Sequence, residues 1–159
     1  MSILLTIALT APSVSPGPVS PPRQVAAGVY AIDSSNKYAA AEHVDGSLVG
    51  KAGLFGPSVP STPAARGEVI AVYGTGFGPT NPATIQDQLI QAAVPLANAS
   101  SWQARIGNVT AAIGFAGLTG SGLYQFNITV PTTISAGDQA LVITNGSNST
   151  QTGVSITVQ

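Results

Sequence analysis

The stretch LYQFNITV, residues 123–130, decides the fold class of this chain. Its aromatic and aliphatic side chains alternate with polar ones, and a period of two is typical of a β-strand with one buried and one solvated face. The inward set is Tyr124, Phe126, Ile128 and Val130, and the outward set is Gln125, Asn127 and Thr129. Residues 154–159 (VSITVQ) repeat the alternation. Both stretches predict strands that pack on a common core.

Several further segments after residue 64 have the length and composition of strands, and turns rich in glycine, proline and asparagine separate them. Short strands at near-regular spacing predict an all-β sandwich over residues 64–159. The segment 84–94 fits either a helical turn or a loop that contains one strand. The predicted strands are Glu68–Tyr73, Trp102–Ile106, Thr110–Phe115, Leu123–Val130, Gln139–Thr144 and Val154–Gln159.

The first ten residues, MSILLTIALT, predict a strand that has no partner of its own. One face of this strand carries Ile3, Leu5, Ile7 and Leu9. A stiff spacer rich in proline and serine follows over residues 11–22. A secretory signal peptide is the competing interpretation, but no basic residue precedes the apolar run, and Pro12 would adjoin a cut after Ala11. We therefore expect a retained arm.

The chain divides into three zones. Residues 1–24 are the arm and its spacer, residues 25–63 are a small accessory β-region, and residues 64–159 are the sandwich. Within the accessory region the predicted strands are Gly28–Ile32 and Tyr38–Val44. A second stretch rich in proline and serine links this region to the sandwich.

Composition excludes several classes of protein. Only 7% of the 159 residues are charged and the net charge is -1, so no basic surface predicts a nucleic-acid partner. The chain has no cysteine and one histidine, His43, which excludes disulfides, thiolate metal sites and multi-histidine sites. No apolar run reaches the ~20 residues of a membrane-spanning helix. So few charges solvate a monomer poorly, and we expect neighbouring copies, glycans or uncharged polar side chains to cover the surface.

Two motifs resemble catalytic or cofactor sites but predict simpler structures. Residues 74–78 (GTGFG) have the third glycine one place too early for a dinucleotide fingerprint, and prolines follow where a helix should begin. They predict a tight turn. Residues 42–45 (EHVD) place His43 and Asp45 on one face, but no serine or cysteine nucleophile accompanies them. A solvated hairpin end is the expectation.

Metal binding and covalent crosslinking are weakly indicated. Residues 33–36 (DSSN) have too few oxygen ligands for a calcium loop and predict a turn. Lys37 and Lys51 are the only lysines, and nothing in the sequence places either in a core where it would crosslink to an asparagine. We expect no catalytic residues, no cofactor and no metal site.

Asparagine usage suggests glycosylation. Five of the seven asparagines begin an N-x-S/T sequon, which exceeds the one or two expected by chance, although asparagine and threonine also suit turns and strand faces. Bulky sugars would supply the solvation that the few charges do not. The candidate sites are Asn98, Asn108, Asn127, Asn145 and Asn148.

Several motifs, in order along the chain, resemble one family. Residues 66–82 (RGEVIAVYGTGFGPTNP), 113–118, 122–131, 136–138 and 153–159 carry the likeness, and residues 26–30 and 44–48 extend it upstream. Over residues of about 25–159, the chain resembles the C-terminal Ig-like (TIG-related) domain of secreted acidobacterial proteins. The resemblance implies an extracellular bacterial Ig-like sandwich with no known catalytic role. It does not cover the arm.

Two functions remain open. The first is a structural subunit of an extracellular, pilus-like filament, in which the arm (Ile3, Leu5, Ile7, Leu9) joins a sheet of the next copy. An arm that folds back on its own sandwich is the alternative to that contact. The second function is a carbohydrate-binding or adhesion module. Its stacking surface would come from Trp102, Tyr30, Tyr38 and Tyr73.

Overall fold

The fold is all-β, as predicted. The computed structural model describes residues 26–33, 35, 37–84 and 89–159, and within them the only helical element is a 3-10 turn at Ala99–Ser101. The predicted arm lies outside these residues. The strands are β1 (Gly28–Val29), β2 (Ala41–Glu42), β3 (Leu48–Val49), β4 (Ser61–Thr62), β5 (Val69–Thr75), β6 (Val94–Pro95), β7 (Gln103–Ile106), β8 (Val109–Gly120), β9 (Leu123–Thr129), β10 (Gly137–Asn145), β11 (Asn148–Ser149) and β12 (Ser155–Val158).

Hydrogen bonds connect these strands into one path, in the order β11-β10-β7-β8-β9-β5-β2-β3-β4. In addition, β1 pairs with β5, β12 with β10, and β6 with β8. The β3–β4 pair is parallel and the other pairs are antiparallel. Strand β8 pairs with β7 over Val109–Ala111 and with β9 from Ala112 onward, with a bulge between Ile113 and Phe115. It thereby links the two halves of the path.

The core lies between those halves. Phe126 and Ile128 of β9 are fully buried, and they belong to the same cluster as Leu141 and Ile143 of β10, a strand to which β9 is not bonded. The ring of Phe77 packs 4.5 Å from that of Phe126. Two layers that share one core are consistent with a β-sandwich. The alternation in LYQFNITV predicts this arrangement correctly, except that Tyr124 is only half-buried.

Strand β8 is longer than predicted. It continues through Gly117, which the sequence placed in a turn, and ends at Gly120. A Cβ on Gly117 would lie 2.5 Å from the Val94 carbonyl oxygen of β6. This glycine is therefore needed where another backbone approaches closely, and it does not end the strand. Residues 84–94 were expected to form either a helical turn or a loop that contains one strand. The structure has strand β6 at the end of this segment, and residues 85–88 are not described.

The glycines of residues 74–78 also allow another backbone to approach closely. A Cβ on Gly74 would lie 2.3 Å from the Gly28 carbonyl oxygen, and one on Gly76 would lie 2.3 Å from that of Ala26. These glycines allow β1 to pack closely against the end of β5. Strand β2 pairs with the same edge of β5, and Val29, Ala41 and Val49 enter the common core. The described part of the accessory region is thus bonded into the same sheet as the rest of the domain.

Candidate functional site

Residues 28–32 form an edge of the sheet. The Tyr30 amide donates to the Tyr73 carbonyl (3.0 Å), and the Tyr30 carbonyl accepts from the Ala40 amide (2.6 Å). The Ile32 amide donates to the Tyr38 carbonyl (3.0 Å). Because backbone groups alternate in direction along an antiparallel strand, those of Val29 and Ala31 face away from the sheet. This edge is where a further strand would pair.

The side chain of Gln151 occupies part of this edge. Its Oε1 accepts from the Val29 amide (3.0 Å), and its Nε2 donates to the Val29 carbonyl. One side-chain amide thus makes both bonds that a neighbouring strand would make to Val29.

The side chains of the edge are apolar and uncharged. Tyr30 and Ile32 are 42% and 40% exposed, whereas Val29 is buried. Natural edge strands usually carry charges, prolines or bulges that prevent pairing with another chain. Within residues 28–32 none of these is present, and among the residues that the structure describes the Gln151 amide is the one group that bonds to the outward backbone there.

Other described edges are better protected. Pro60 and Pro63 flank the short β4, and a proline has no amide to donate to a neighbouring strand. The outer edge of β12 bonds to residues 37–39 and to Ala64, for example through the Ala39 amide and the Ser155 carbonyl (3.0 Å). Of these three edges, the one at residues 28–32 therefore best fits an incoming strand.

The two lysines form ion pairs and are not placed for a crosslink. Lys51 Nζ lies 2.9 Å and Lys37 Nζ 3.4 Å from Asp138 Oδ2, and both lysine side chains are about half exposed. Tyr38 and Thr157 also donate to this carboxylate, at 2.7 and 3.0 Å. Partial burial acts to raise the pKa of Asp138, but the bonds from Lys51, Tyr38 and Thr157 outweigh it and hold the pKa well below its usual value. These bonds favour the ionised carboxylate.

His43 pairs with Glu68 and not with Asp45. Its Nδ1 lies 2.5 Å from Glu68 Oε1, and its Nε2 lies 3.0 Å from the Thr62 carbonyl oxygen. Desolvation lowers the pKa of His43, but the bonds to Glu68 and Thr62 raise it more, so the net shift is upward. Two acceptors for two ring nitrogens suit the charged imidazolium. Asp45 instead accepts from Ser47. A histidine–aspartate pair is absent from the described part of the chain, and His43 acts as a clip between strands.

Asp33 closes a turn, as the sequence predicts. Its carboxylate accepts from the side chain and amide of Ser35 and from the amides of Lys37 and Tyr38, each of these last two at 2.7 Å. The bonds from Ser35 and Tyr38 lower the pKa of Asp33 to about 2. Backbone and hydroxyl donors thus occupy the oxygens that a cation would need. Within the described residues, no three histidine or acidic side chains cluster as metal ligands would.

The five sequons differ in accessibility. Asn98 and Asn108 are exposed in turns, and Asn145 and Asn148 flank the hairpin between β10 and β11. Asn127 lies on the outward face of β9, as predicted, but it is half-buried and its Oδ1 accepts from Gln125 Nε2 (2.7 Å).

Two of the four candidate stacking residues are in the wrong place for a ligand. Trp102 is buried against Phe77, with ring centroids 5.1 Å apart, and its Nε1 has no partner among the described residues. Tyr38 is buried as well. Tyr30 is exposed at the edge described above, and Tyr73 is half-buried on the outward face of β5.

Comparisons with protein-family models, with curated proteins and with solved structures found no match to this chain. The resemblance to TIG-related domains, and with it the Ig-like assignment of the sandwich, therefore stays a prediction. Within the described residues, no helix has the length and apolar character needed to cross a bilayer.

Proposed function

We propose that this protein is a structural subunit of an extracellular bacterial filament, in which the arm of one copy (Ile3, Leu5, Ile7, Leu9) pairs with residues 28–32 of the next. The observation that carries the proposal is the pair of bonds between Gln151 and Val29. An incoming strand can displace a side-chain amide that makes the bonds of a neighbouring strand. The incoming backbone would restore the same two bonds and add others to Ala31.

Burial of the arm would supply the driving force. Each of its four large apolar side chains would contribute roughly 1.5–3 kcal/mol on full burial, before the entropy of ordering the arm is subtracted. Tyr30 and Ile32, which are exposed, would be apolar neighbours for such side chains. The spacer of ~12 residues would span about 35 Å at ~3 Å per residue, enough to reach a neighbouring domain.

The contact would be head-to-tail. The arm and the acceptor edge are different surfaces of one chain, so each copy can donate to one neighbour and accept from another. Such an interface propagates without closing and produces a filament. The low charge (7% of residues) suits a protein whose surface is shared with neighbours or covered by sugars.

Removal of the arm tests the proposal. Deletion of residues 1–10 should convert an assembling protein into a monomer. Light scattering after size exclusion and electron microscopy measure this change. Leu5→Lys should also prevent assembly because it charges the apolar face, whereas Thr6→Lys, on the opposite face, is the matched control and should assemble. If the deleted protein still forms filaments, or if the full chain is a monomer at all concentrations, strand donation is wrong.

The acceptor edge needs its own test. Gln151→Ala frees the backbone groups of Val29 and should speed assembly. The same substitution in the chain without residues 1–10 should remain a monomer, because no donor strand is left. Assembly of that double variant would mean that Gln151 only guards the edge against non-specific pairing.

A further inference from the structure

The outward face of the central strands carries an ordered set of polar and aromatic side chains. Residues that pair across antiparallel strands share a face. Ala71 of β5 pairs with Glu42 on one side and with Asn127 on the other, and Tyr73 of β5 pairs with Gln125. These five residues therefore form two adjacent rows on the face opposite the core.

A depression lies at the middle of these rows. Ala71 forms its floor, because its methyl group is shorter than the side chains around it. The volume is about 280 Å³, and the walls come from Glu42, His43, Val44, Gly46, Val69, Tyr73, Gln125 and Asn127. Pockets for drug-sized ligands span about 300–1,000 Å³, so this one suits a single sugar-sized ring.

Hydrogen bonds between neighbours hold the polar walls in position. Tyr73 donates its hydroxyl proton to Glu42 Oε2 (3.0 Å), and Gln125 Nε2 donates to Asn127 Oδ1 (2.7 Å). Within the described residues, Glu42 Oε1, Gln125 Oε1 and Asn127 Nδ2 have no partner in these networks. Two acceptors and one donor, fixed by their neighbours, are the groups that recognise hydroxyls.

One aromatic ring borders the polar groups. Tyr73 of β5 lines the depression, and its hydroxyl is held by Glu42. The apolar C–H face of a pyranose packs on such a ring while its hydroxyls reach the neighbouring polar groups.

The charges of the depression select among sugars. Glu42 and the nearby Glu68 and Asp45 are acidic, and the one cation among these residues, His43, is paired with Glu68. An acidic polysaccharide would meet repulsion here. We propose that the outward face of β5 and β9, centred on Ala71, binds an uncharged oligosaccharide. This site is independent of the edge at residues 28–32.

Binding to defined polysaccharides tests the site. The full chain, made in a host that does not glycosylate, should bind a neutral β-glucan, chitin or cellulose and should not bind polygalacturonate. Gln125→Ala should weaken binding to the neutral polymer about 10-fold, as expected for loss of a positioned hydrogen bond, and Tyr73→Ala should weaken it further. Gln103→Ala, an exposed strand glutamine on β7, is the matched control and should bind as the parent does.

Three outcomes would overturn the proposal. They are no binding to any of the neutral polymers, equal binding to polygalacturonate, and unchanged binding by a folded Gln125→Ala variant. None of these depends on assembly, so they are distinguishable from a failure of strand donation.

Discussion

Lys51 and Asp138 form an ion pair that joins two distant parts of the chain, with Nζ 2.9 Å from Oδ2. Asp138 is the second residue of β10, whereas Lys51 follows β3, and Tyr38 donates to the same carboxylate oxygen. The ammonium groups of Lys37 and Lys51 also lie 5.2 and 5.8 Å from the centroid of the Tyr38 ring. One carboxylate thus joins Lys37, Tyr38 and Lys51 to the start of β10, in addition to the backbone bonds between residues 37–39 and Ser155.

Acid should therefore weaken the fold through Asp138. Its pKa is lower in the folded protein than in the unfolded chain, so its contribution is present above the usual value of about 3.8. That contribution is lost as the pH falls below this value. In thermal melts between about pH 6 and pH 3, the parent should lose more stability than Asp138→Asn does. Equal losses in the two proteins would assign the acid sensitivity to other carboxylates, such as Asp33 and Asp45, whose pKa values are also lowered.

The His43–Glu68 pair should act in the opposite direction. The pKa of His43 is raised on folding, so its contribution is complete below the unfolded value of about 6.5 and is lost as the pH rises through the folded value. Urea midpoints of the parent should therefore fall from about pH 6 to about pH 9. His43→Gln should flatten this dependence. Parallel curves for the two proteins would contradict the proposed clip.

Two glycines of the strands should respond differently to alanine. A Cβ on Gly74 would meet the Gly28 carbonyl oxygen at 2.3 Å and Phe77 Cε2 at 2.8 Å. The first of these contacts is with backbone, which cannot turn aside, so Gly74→Ala should cost about 1–3 kcal/mol or more and loosen β1. A Cβ on Gly114, in β8, has its nearest neighbour at 3.9 Å. Gly114→Ala should be neutral, and equal effects in chemical denaturation would refute the packing argument.

The sequence predicts those strands and turns whose residue pattern is set by the strand or turn itself. The alternation over Leu123–Val130 gave the central strand and its buried face because a half-buried strand imposes a period of two on its own sequence. Glycine and proline in turns located most strand ends. The same logic failed for Gly117, because the reason for that glycine is the backbone of β6 and not a turn.

The contacts that define the candidate sites are distant along the chain. Gln151 is 122 positions from Val29, and Glu68 is 25 positions from His43. No local signal marks either partner. The sequence placed Asp45 on the same face as His43 and favoured a solvated hairpin end. Trp102 was assigned to a stacking surface because aromatic residues suit both cores and ligand sites. Only its packing on Phe77 and Phe126 decides between them.

Glycosylation, if it occurs on the folded protein, should avoid Asn127. Strand β9 is paired on both edges, with β5 and β8, so a transferase cannot draw that sequon into its own site. Asn98 and Asn108 are exposed in turns and should carry the sugars. We expect protein from the natural host to exceed the unmodified mass of 15.8 kDa, with Asn98→Gln and Asn108→Gln each removing one increment and Asn127→Gln removing none.

A mass of 15.8 kDa alone, or an increment lost with Asn127→Gln, would contradict this assignment. The second result would also bear on the sugar-binding face, because a glycan on Asn127 would fill the depression above Ala71. In an unmodified Asn127, Oδ1 accepts from Gln125 while Nδ2, the atom that a glycan would occupy, is left to donate to a ligand. The pattern of occupied sequons therefore tests, in one intact-mass series, both how the surface is solvated and whether the proposed binding site is accessible.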